Sequence, residues 1–372
     1  MTARTFGVEE ELLLVDPAGG RPRAVADAVI RFAREHGGVP LAGAGNAGLL
    51  ETELQRQQLE TCTLPCSSLD ELCGQIRDVR QAASVAAAGA GSAVAALATC
   101  PMEVRPALTP SRRYRKMADE YGMTADEQLT CGCHVHVGVE SPEEGVAVLD
   151  RIRPWLPPLL ALTANSPFWQ GTDSGYASWR QQVWGRWPSS GPTEPFGSVA
   201  AYRAAVGGLL ATGALLDEGM VYFDARLSRH YPTVEVRVAD VCLNARDAAL
   251  LAALVRGLVE TAAREWRAGV RPDPVRTDLL RLAMWRASRS GLDGDLVHPL
   301  AHRAVPAREV LDALLAHVAG ALEDHGDLET AELGLGRLLE EGTGARRQRA
   351  VYADTGRMSD VVTDAVRRTS AS

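Results

Sequence analysis

The chain has 372 residues, 39 basic side chains against 47 acidic ones, and a formal net charge of -8. Lys116 is its only lysine, so the positive charge is almost wholly arginine. A P-loop, a Schiff-base or pyridoxal site, and a lysine-clamped ATP site of the kinase type would all have to use this one amine, which stands in Arg-Arg-Tyr-Arg-Lys-Met with no glycine before it.

If phosphates are handled here, arginine and metal ions must handle them. The acidic balance argues against non-specific nucleic-acid binding, which depends on basic surface. Hydrophobic residues make up 46% of the chain and aromatics only 5%. The expected core is therefore Ala, Val and Leu, and the chain is long enough to bury a large one. No linker composition divides it. The expectation is one domain over 1–372, sheet-rich over 1–240, mostly helical over 241–350, with 351–372 as a tail. Seven cysteines without a regular framework, and no basic-apolar-small segment at the start, predict a reduced cytoplasmic protein. The uncharged run Gln81–Met102 is too rich in Ala and Gly for a membrane span and breaks at Gly89-Ala90-Gly91.

In chain order, Thr5–Val15 reads as a strand ending at Asp16-Pro17. Ala24–Glu35 has helical spacing and stops at Gly37-Gly38. Gly48–Thr61 reads as a strand pair or a bent strand. Ser67–Ala88 is a helix with serine caps and Asp70/Glu71 in its first turn. A short strand (Ser92–Thr99), a helix (Ser111–Tyr121), an alternating strand (Leu129–Val139) and a helix from Ser141-Pro142 to Thr163 follow. Asn165–Pro195 holds four tryptophans and scattered glycines without clear periodicity, the character of a functional loop. After a helix near Ser198–Leu215 come strands at Met220–Ser228 and Thr233–Val238, then helices at Arg246–Arg267, Asp278–Ser290, Ala307–Asp324 and Asp327–Glu341. Strands mixed with helices, without regular βαβ alternation, predict an α+β fold on an antiparallel sheet.

Three strands carry polar pairs at i and i+2. Glu9 and Glu11 share one face, about 7 Å apart, and could each bind a hard cation; an exposed acidic edge is the competing reading. His134 and His136 share a face while Val135 and Val137 cover the other. Cys133 points away from His134, which disfavours a zinc site using both. Glu235 and Arg237 share a face opposite Val234, Val236 and Val238, and could be a structural ion pair or a phosphate handle. Together they predict one polar sheet face suited to metal-bridged phosphate chemistry. Glu53 and Glu60 are seven apart and converge only if the chain bends between them.

With these pairs in line, the chain resembles the glutamate–cysteine ligase type 2 family, carboxylate–amine ligases related to glutamine synthetase. The resemblance rests on Gly7-Val-Glu9-Glu-Glu11-Leu, on Glu53 to Thr63, on Gly132-Cys-His134-Val-His136-Val-Gly138, on the loop Asn165 to Arg180, on Thr233-Val-Glu235-Val-Arg237 with Asp240, and on the segments around Trp285 and Gly342. It implies a glutamine-synthetase-like antiparallel sheet forming a funnel flanked by helices, with ATP and Mg²⁺ (Mn²⁺ as the alternative) as cofactors. It implies that the γ-carboxylate of glutamate takes the γ-phosphate of ATP, and that an amine, cysteine in the family's named case, captures the acyl phosphate. Carried over by residue, Glu9, Glu11, Glu53, Glu60, His134 and Glu235 would hold metals. His136 and Arg237 would lie along ATP, and Glu235, Arg237 and His134 would form the catalytic group. Arg180, Asn165 and Trp169 in the signature loop would bind substrate, Arg180 by gripping a carboxylate. Small-molecule substrates, no nucleic acid, no membrane and a symmetric homodimer complete the expectation. Alternatives are the same chemistry on a different amine, and a phosphotransferase of guanidino-kinase type. The chain departs from the family at Thr99-Cys100-Pro101 and at Cys131 and Cys133; if Cys100 or Cys133 faces the pocket, substrate choice changes.

Overall fold

A computed structural model describes residues 4–36 and 50–371. The expected Gly37-Gly38 stop and the start of the Gly48 strand lie outside the described residues. The architecture is an antiparallel sheet with helices. The strands of the main sheet are β1 (Phe6–Val15), β2 (Glu51–Thr52), β3 (Gln58–Cys62), β4 (Ala93–Ala95), β5 (Gly132–Gly138), β6 (Ala225–Leu227) and β7 (Thr233–Asp240). They run in the order β2-β3-β1-β5-β7-β6, with β4 paired to the far end of β1. The order has two ends, so the sheet is open, and helices and loops complete the walls of the expected funnel.

Period-two alternation decides which face is which. Phe6 and Val8 on β1, Cys133, Val135 and Val137 on β5, and Val234, Val236 and Val238 on β7 form one buried apolar face. Helices Leu69–Gly89, Pro142–Ile152 and Ala245–Arg267 cover it. Leu69–Gly89 begins as its sequence predicts, with Ser68 accepting a hydrogen bond from the Glu71 amide. Ser141 caps Pro142–Ile152 in the same way, with proline in the first turn where no amide donor is needed. The central helix Ala245–Arg267 is buried along most of its length, which suits its Ala/Leu/Val composition.

One charged pair interrupts the apolar face. Glu10 projects toward the helices and meets Arg80 in a two-pronged contact, Nε to Oε2 at 2.8 Å and Nη2 to Oε1 at 2.7 Å. Arg80 also donates to the carbonyl of Cys242 at 2.7 Å. Both side chains are almost fully buried, so the helix and two strands are fixed together by groups that cannot be separated without stranding a charge.

Several elements differ from the sequence reading. Residues 351–372 are not a tail: Met358–Ala371 is a helix that buries Val361, Val362 and Ala365, and Thr369 accepts a hydrogen bond from the Ala96 amide beside β4. Helix Gly344–Thr355 lay hidden because it is rich in arginine and buries only Ala345 and Gln348, and the hairpin Asp295–Val297/Ala304–Pro306 because each strand is three residues long. The predicted loop Asn165–Pro195 contains a small hairpin, Phe168–Trp169/Thr172–Asp173, and helix Trp179–Trp184. No helix among the described residues is long and apolar enough to cross a membrane, and Gln81–Met102 divides between a helix end and β4.

Replacing Arg80 by Ala should lower unfolding free energy by about 3–5 kcal/mol, because it leaves Glu10 buried without its partner. The double change Glu10→Leu/Arg80→Met should recover much of that loss. Chemical denaturation checks both, and a double variant as weak as the single would contradict the account.

Candidate active site

The opposite sheet face carries the polar pairs. Antiparallel register places Glu9 against His134, Gly7 against His136, Glu11 against Glu60, His136 against Glu235, and Arg226 against Glu235. Between Cys133 and Val135 the register with β7 shifts by one residue, so β7 bulges opposite His134. The bulge brings a nitrogen of Arg237 to 3.4 Å from His134 Nδ1.

These side chains line a cavity of about 270 Å³. His134 Nδ1 lies 3.4 Å from Glu9 Oε2 and 4.0 Å from Glu235 Oε1, and His136 Nε2 lies 3.2 Å from Glu9 Oε1. Glu9, His136 and Glu235 present ligand atoms within 4.8 Å of one another, close enough for one cation. The buried Nε2 of His134 has no hydrogen-bond partner, while that of His136 faces Glu9. Glu235 is held from two sides, by Arg237 and by Arg226 Nε at 2.7 Å.

Charge balance differs along the face. Burial works against ionising Glu235, but Arg237 and Arg226 hold its carboxyl far below the usual range. Glu9 is likewise held low against burial, by His134 and His136. His134 is pushed down to about 4 by burial and Arg237, so it is a neutral ligand-type imidazole near pH 7. Further along, burial and Glu53 raise Glu11 to about 7, with Arg180 opposing. Burial, then Glu53, Glu9 and Glu11, raise Glu60 well above its ordinary value. This end of the face holds more negative charge than its cations neutralise, an arrangement that fits a divalent ion with oxygen ligands.

Glu53 and Glu60 reach the same cavity because the chain turns sharply between β2 and β3, at Glu53 to Gln57. Glu9, Glu11, Glu53, Glu60, His134, His136, Glu235 and Arg237 all line it. Three predicted substrate residues do not. Asn165 is fully buried, donating to the carbonyls of Ala96 and Val241 and accepting from Gln348. Trp169 lies in the small hairpin of the signature loop, away from the lining. Arg180 is only 1% exposed and donates to the carbonyls of Val238 and Arg237 at 3.4 Å. It lies against Gly132, where a β-carbon would meet its Nη2 at 2.3 Å, and this explains the glycine before the histidine strand. The signature loop is thus an anchor: Asp240 accepts from the Asn165 amide and from the hydroxyls of Ser166 and Ser178. Cys100, Cys131 and Cys133 are buried and none lines the cavity.

Several lining residues escaped the sequence reading. Tyr114, Met117, Gln128, Thr130, Trp184, Trp187 and Tyr222 form a wall that is aromatic and uncharged. Trp184 and Trp187 lay in the aromatic segment already singled out. Arg226 was findable, because a hairpin joining Met220–Ser228 to Thr233–Val238 through a short turn puts it opposite Glu235.

The sequence model of the glutamate-cysteine ligase family 2 matches residues 5–364. The chain belongs to that family. It is 56% identical over 366 residues to a Streptomyces avermitilis protein named "Putative glutamate--cysteine ligase 2-1", covering 98% of this chain and 99% of the relative. It is 55% identical over 368 residues to "Putative glutamate--cysteine ligase 2" of Streptomyces coelicolor, covering 99% of each. Among solved structures, its fold is similar to the Francisella tularensis glutamate–cysteine ligase in complex with AMP, with TM-score 0.69 at 15% identity, covering 100% of this chain and 89% of that one. Membership makes the protein an enzyme of the carboxylate–amine ligase type.

Behind the site, Asp224 accepts the Arg237 amide through its carbonyl, while its carboxyl Oδ2 is buried without a partner. Burial raises this carboxyl to about 7, with Arg281 pulling the other way. The folded chain therefore keeps a proton that the unfolded chain releases near 3.8. Its contribution to stability is full at low pH and is lost between roughly pH 4 and 7. Asp224→Asn should gain stability relative to the parent as pH rises through that window; parallel pH–stability curves would contradict this.

Proposed function

We propose that the protein joins a carboxylate to an amine through an acyl phosphate, with ATP and Mg²⁺ as cofactors, glutamate as the acid and cysteine as the first amine to test. The observation that carries the reading is the convergence of Glu9, His134, His136, Glu235 and Arg237 at one end of a cavity, in a chain of this family. The names of the relatives supply the acid and the amine, and a structural neighbour of like fold was solved with AMP.

Glu9, His136 and Glu235 would hold one divalent ion, with His134 beside them. Glu11, Glu53 and Glu60 would take up more positive charge along the same face. When bound, Mg²⁺ would supply positive charge that neutralises a polyphosphate. Arg237 and Arg226 then supply the protein's own positive charge: each is tied to Glu235 and each lines the cavity, so a phosphate oxygen would meet two oriented guanidinium groups.

The reaction balances without a protein nucleophile. A substrate carboxylate oxygen attacks the γ-phosphorus, the bond to the bridging oxygen breaks, and ADP leaves. The neutral amine then attacks the acyl carbon and expels phosphate, forming the amide and releasing one proton. What the site must provide is orientation and charge neutralisation. The wall of Tyr114, Trp184, Trp187 and Tyr222, of which Trp187 and Tyr222 are buried, suits the exclusion of water from an acyl phosphate that water would destroy.

Purified protein with Mg²⁺-ATP, glutamate and a panel of amines should release ADP and an amide in equal amounts, followed by mass spectrometry. A stable phosphorylated product without any amine requirement would indicate a phosphotransferase, and no turnover with any pairing would defeat the reading. Glu235→Gln and Arg237→Ala should each lower turnover by a factor on the order of 10²–10³. Arg226→Ala should do the same with an unchanged fold by circular dichroism, since Glu235 would lose one of its two clamps; near-normal turnover would remove Arg226 from the site.

A further inference from the structure

The cavity has two unlike ends. One is closed: Gln58, Met117, Gln128, Thr130 and Trp187 are all buried. The other is open, where the β6–β7 hairpin turns over and Arg229, His230 and Tyr231 are exposed. The Glu9–His136–Glu235 group stands beside that hairpin, since His136 Nδ1 meets the Thr233 hydroxyl at 3.0 Å.

Tyr231 is 62% exposed. Among the described residues it is the one large exposed hydrophobic side chain that lines the cavity. Its ring stands at 89° to the His136 ring, with centroids 6.5 Å apart, so at least one of its faces is clear of that contact. A tyrosine left this open at a cavity mouth contributes little to the core.

Direction follows from the chemistry. Phosphoryl transfer places the attacking and leaving oxygens in line on opposite sides of the phosphorus. An acid whose acyl phosphate must be kept from water belongs at the closed end. The leaving diphosphate and its nucleoside then extend from the metal-type group toward the open end, past Arg226 and onto the hairpin tip. We propose that Tyr231 is the stacking platform for the base of the nucleotide, a positioning role that rests on the ligase reading above. Every base offers a π-face, so the platform would favour nucleotides over bare polyphosphate more than one base over another.

The test separates base from phosphate. Calorimetric titration of the full chain, with Mg²⁺ present, compares ADP with pyrophosphate, which has no base. Tyr231→Ala should weaken ADP roughly tenfold and leave pyrophosphate unchanged, while Tyr231→Phe and Tyr231→Trp stay close to the parent for both. Unchanged ADP binding by Tyr231→Ala would overturn the proposal. So would an equal loss for both ligands, which would place the effect in the phosphate site or the fold. If the parent chain bound pyrophosphate but not ADP, the platform would fail while the phosphate site stood. If it bound neither, the ligase reading would fall and the platform with it.

Discussion

Everything in this cavity is arranged around a surplus of carboxylate. Glu9, Glu11, Glu53, Glu60 and Glu235 share one sheet face in a partly buried space, and two of the nearest guanidinium groups, Arg226 and Arg237, are both committed to Glu235. Burial and like charges raise the energy of the ionised state, and here the consequence is a Glu11 carboxyl lifted to about 7 and a Glu60 carboxyl lifted well above its ordinary value. Such crowding is the electrostatic setting that a bound cation would relieve, as the proposed function requires. The buried His134 Nε2, without a hydrogen-bond partner, is a second unused ligand atom on this face.

Holding this arrangement demands a rigid support, and the support is built on the other face and at the strand ends. Glu10 alternates away from Glu9 and Glu11, and its buried contact with Arg80 ties β1 to a helix. Asp240, at the end of β7, gathers the Asn165 amide and two serine hydroxyls, so the signature loop cannot drift. Arg180 in that loop reaches back over Gly132 to the carbonyls of β7. The bulge opposite His134 then sets how Arg237 approaches the imidazole. Residues remote from any ligand thus decide distances within the cavity.

The strand alternation made one half of this legible. Glu9/Glu11, His134/His136 and Glu235/Arg237 each declared a face, because period two is a local property and needs no partner strand. Lys116 on its exposed helix was legible in the same local way. What alternation could not give was anything that depends on a turn or on register. Glu53 and Glu60 have the wrong parity for a straight strand and meet in the cavity only through the bend between β2 and β3. Arg226 needed the hairpin register before it had a partner. The signature loop is less legible for a different reason: Asn165 and Arg180 stand in a motif specific to the family, yet neither lines the cavity, because Asn165 is bonded to backbone carbonyls and Gln348 and two nitrogens of Arg180 reach carbonyls of β7.

The near-absence of lysine gains a physical meaning from this geometry. An ammonium group is a compact, strongly hydrated charge on a flexible stem, poorly suited to being buried in two directions at once. The guanidinium groups here do what it could not. Arg80 serves a carboxylate and two carbonyls, Arg226 serves Glu235 and the Val221 carbonyl, and Arg237 lies between Glu235 and the Trp184 ring. Planar donors of fixed direction let a sheet carry charge on both faces without losing the geometry of either. The closed end of the cavity, with Gln58, Met117, Gln128, Thr130 and Trp187, can then stay uncharged, because the charged side chains are concentrated on neighbouring strands of the sheet.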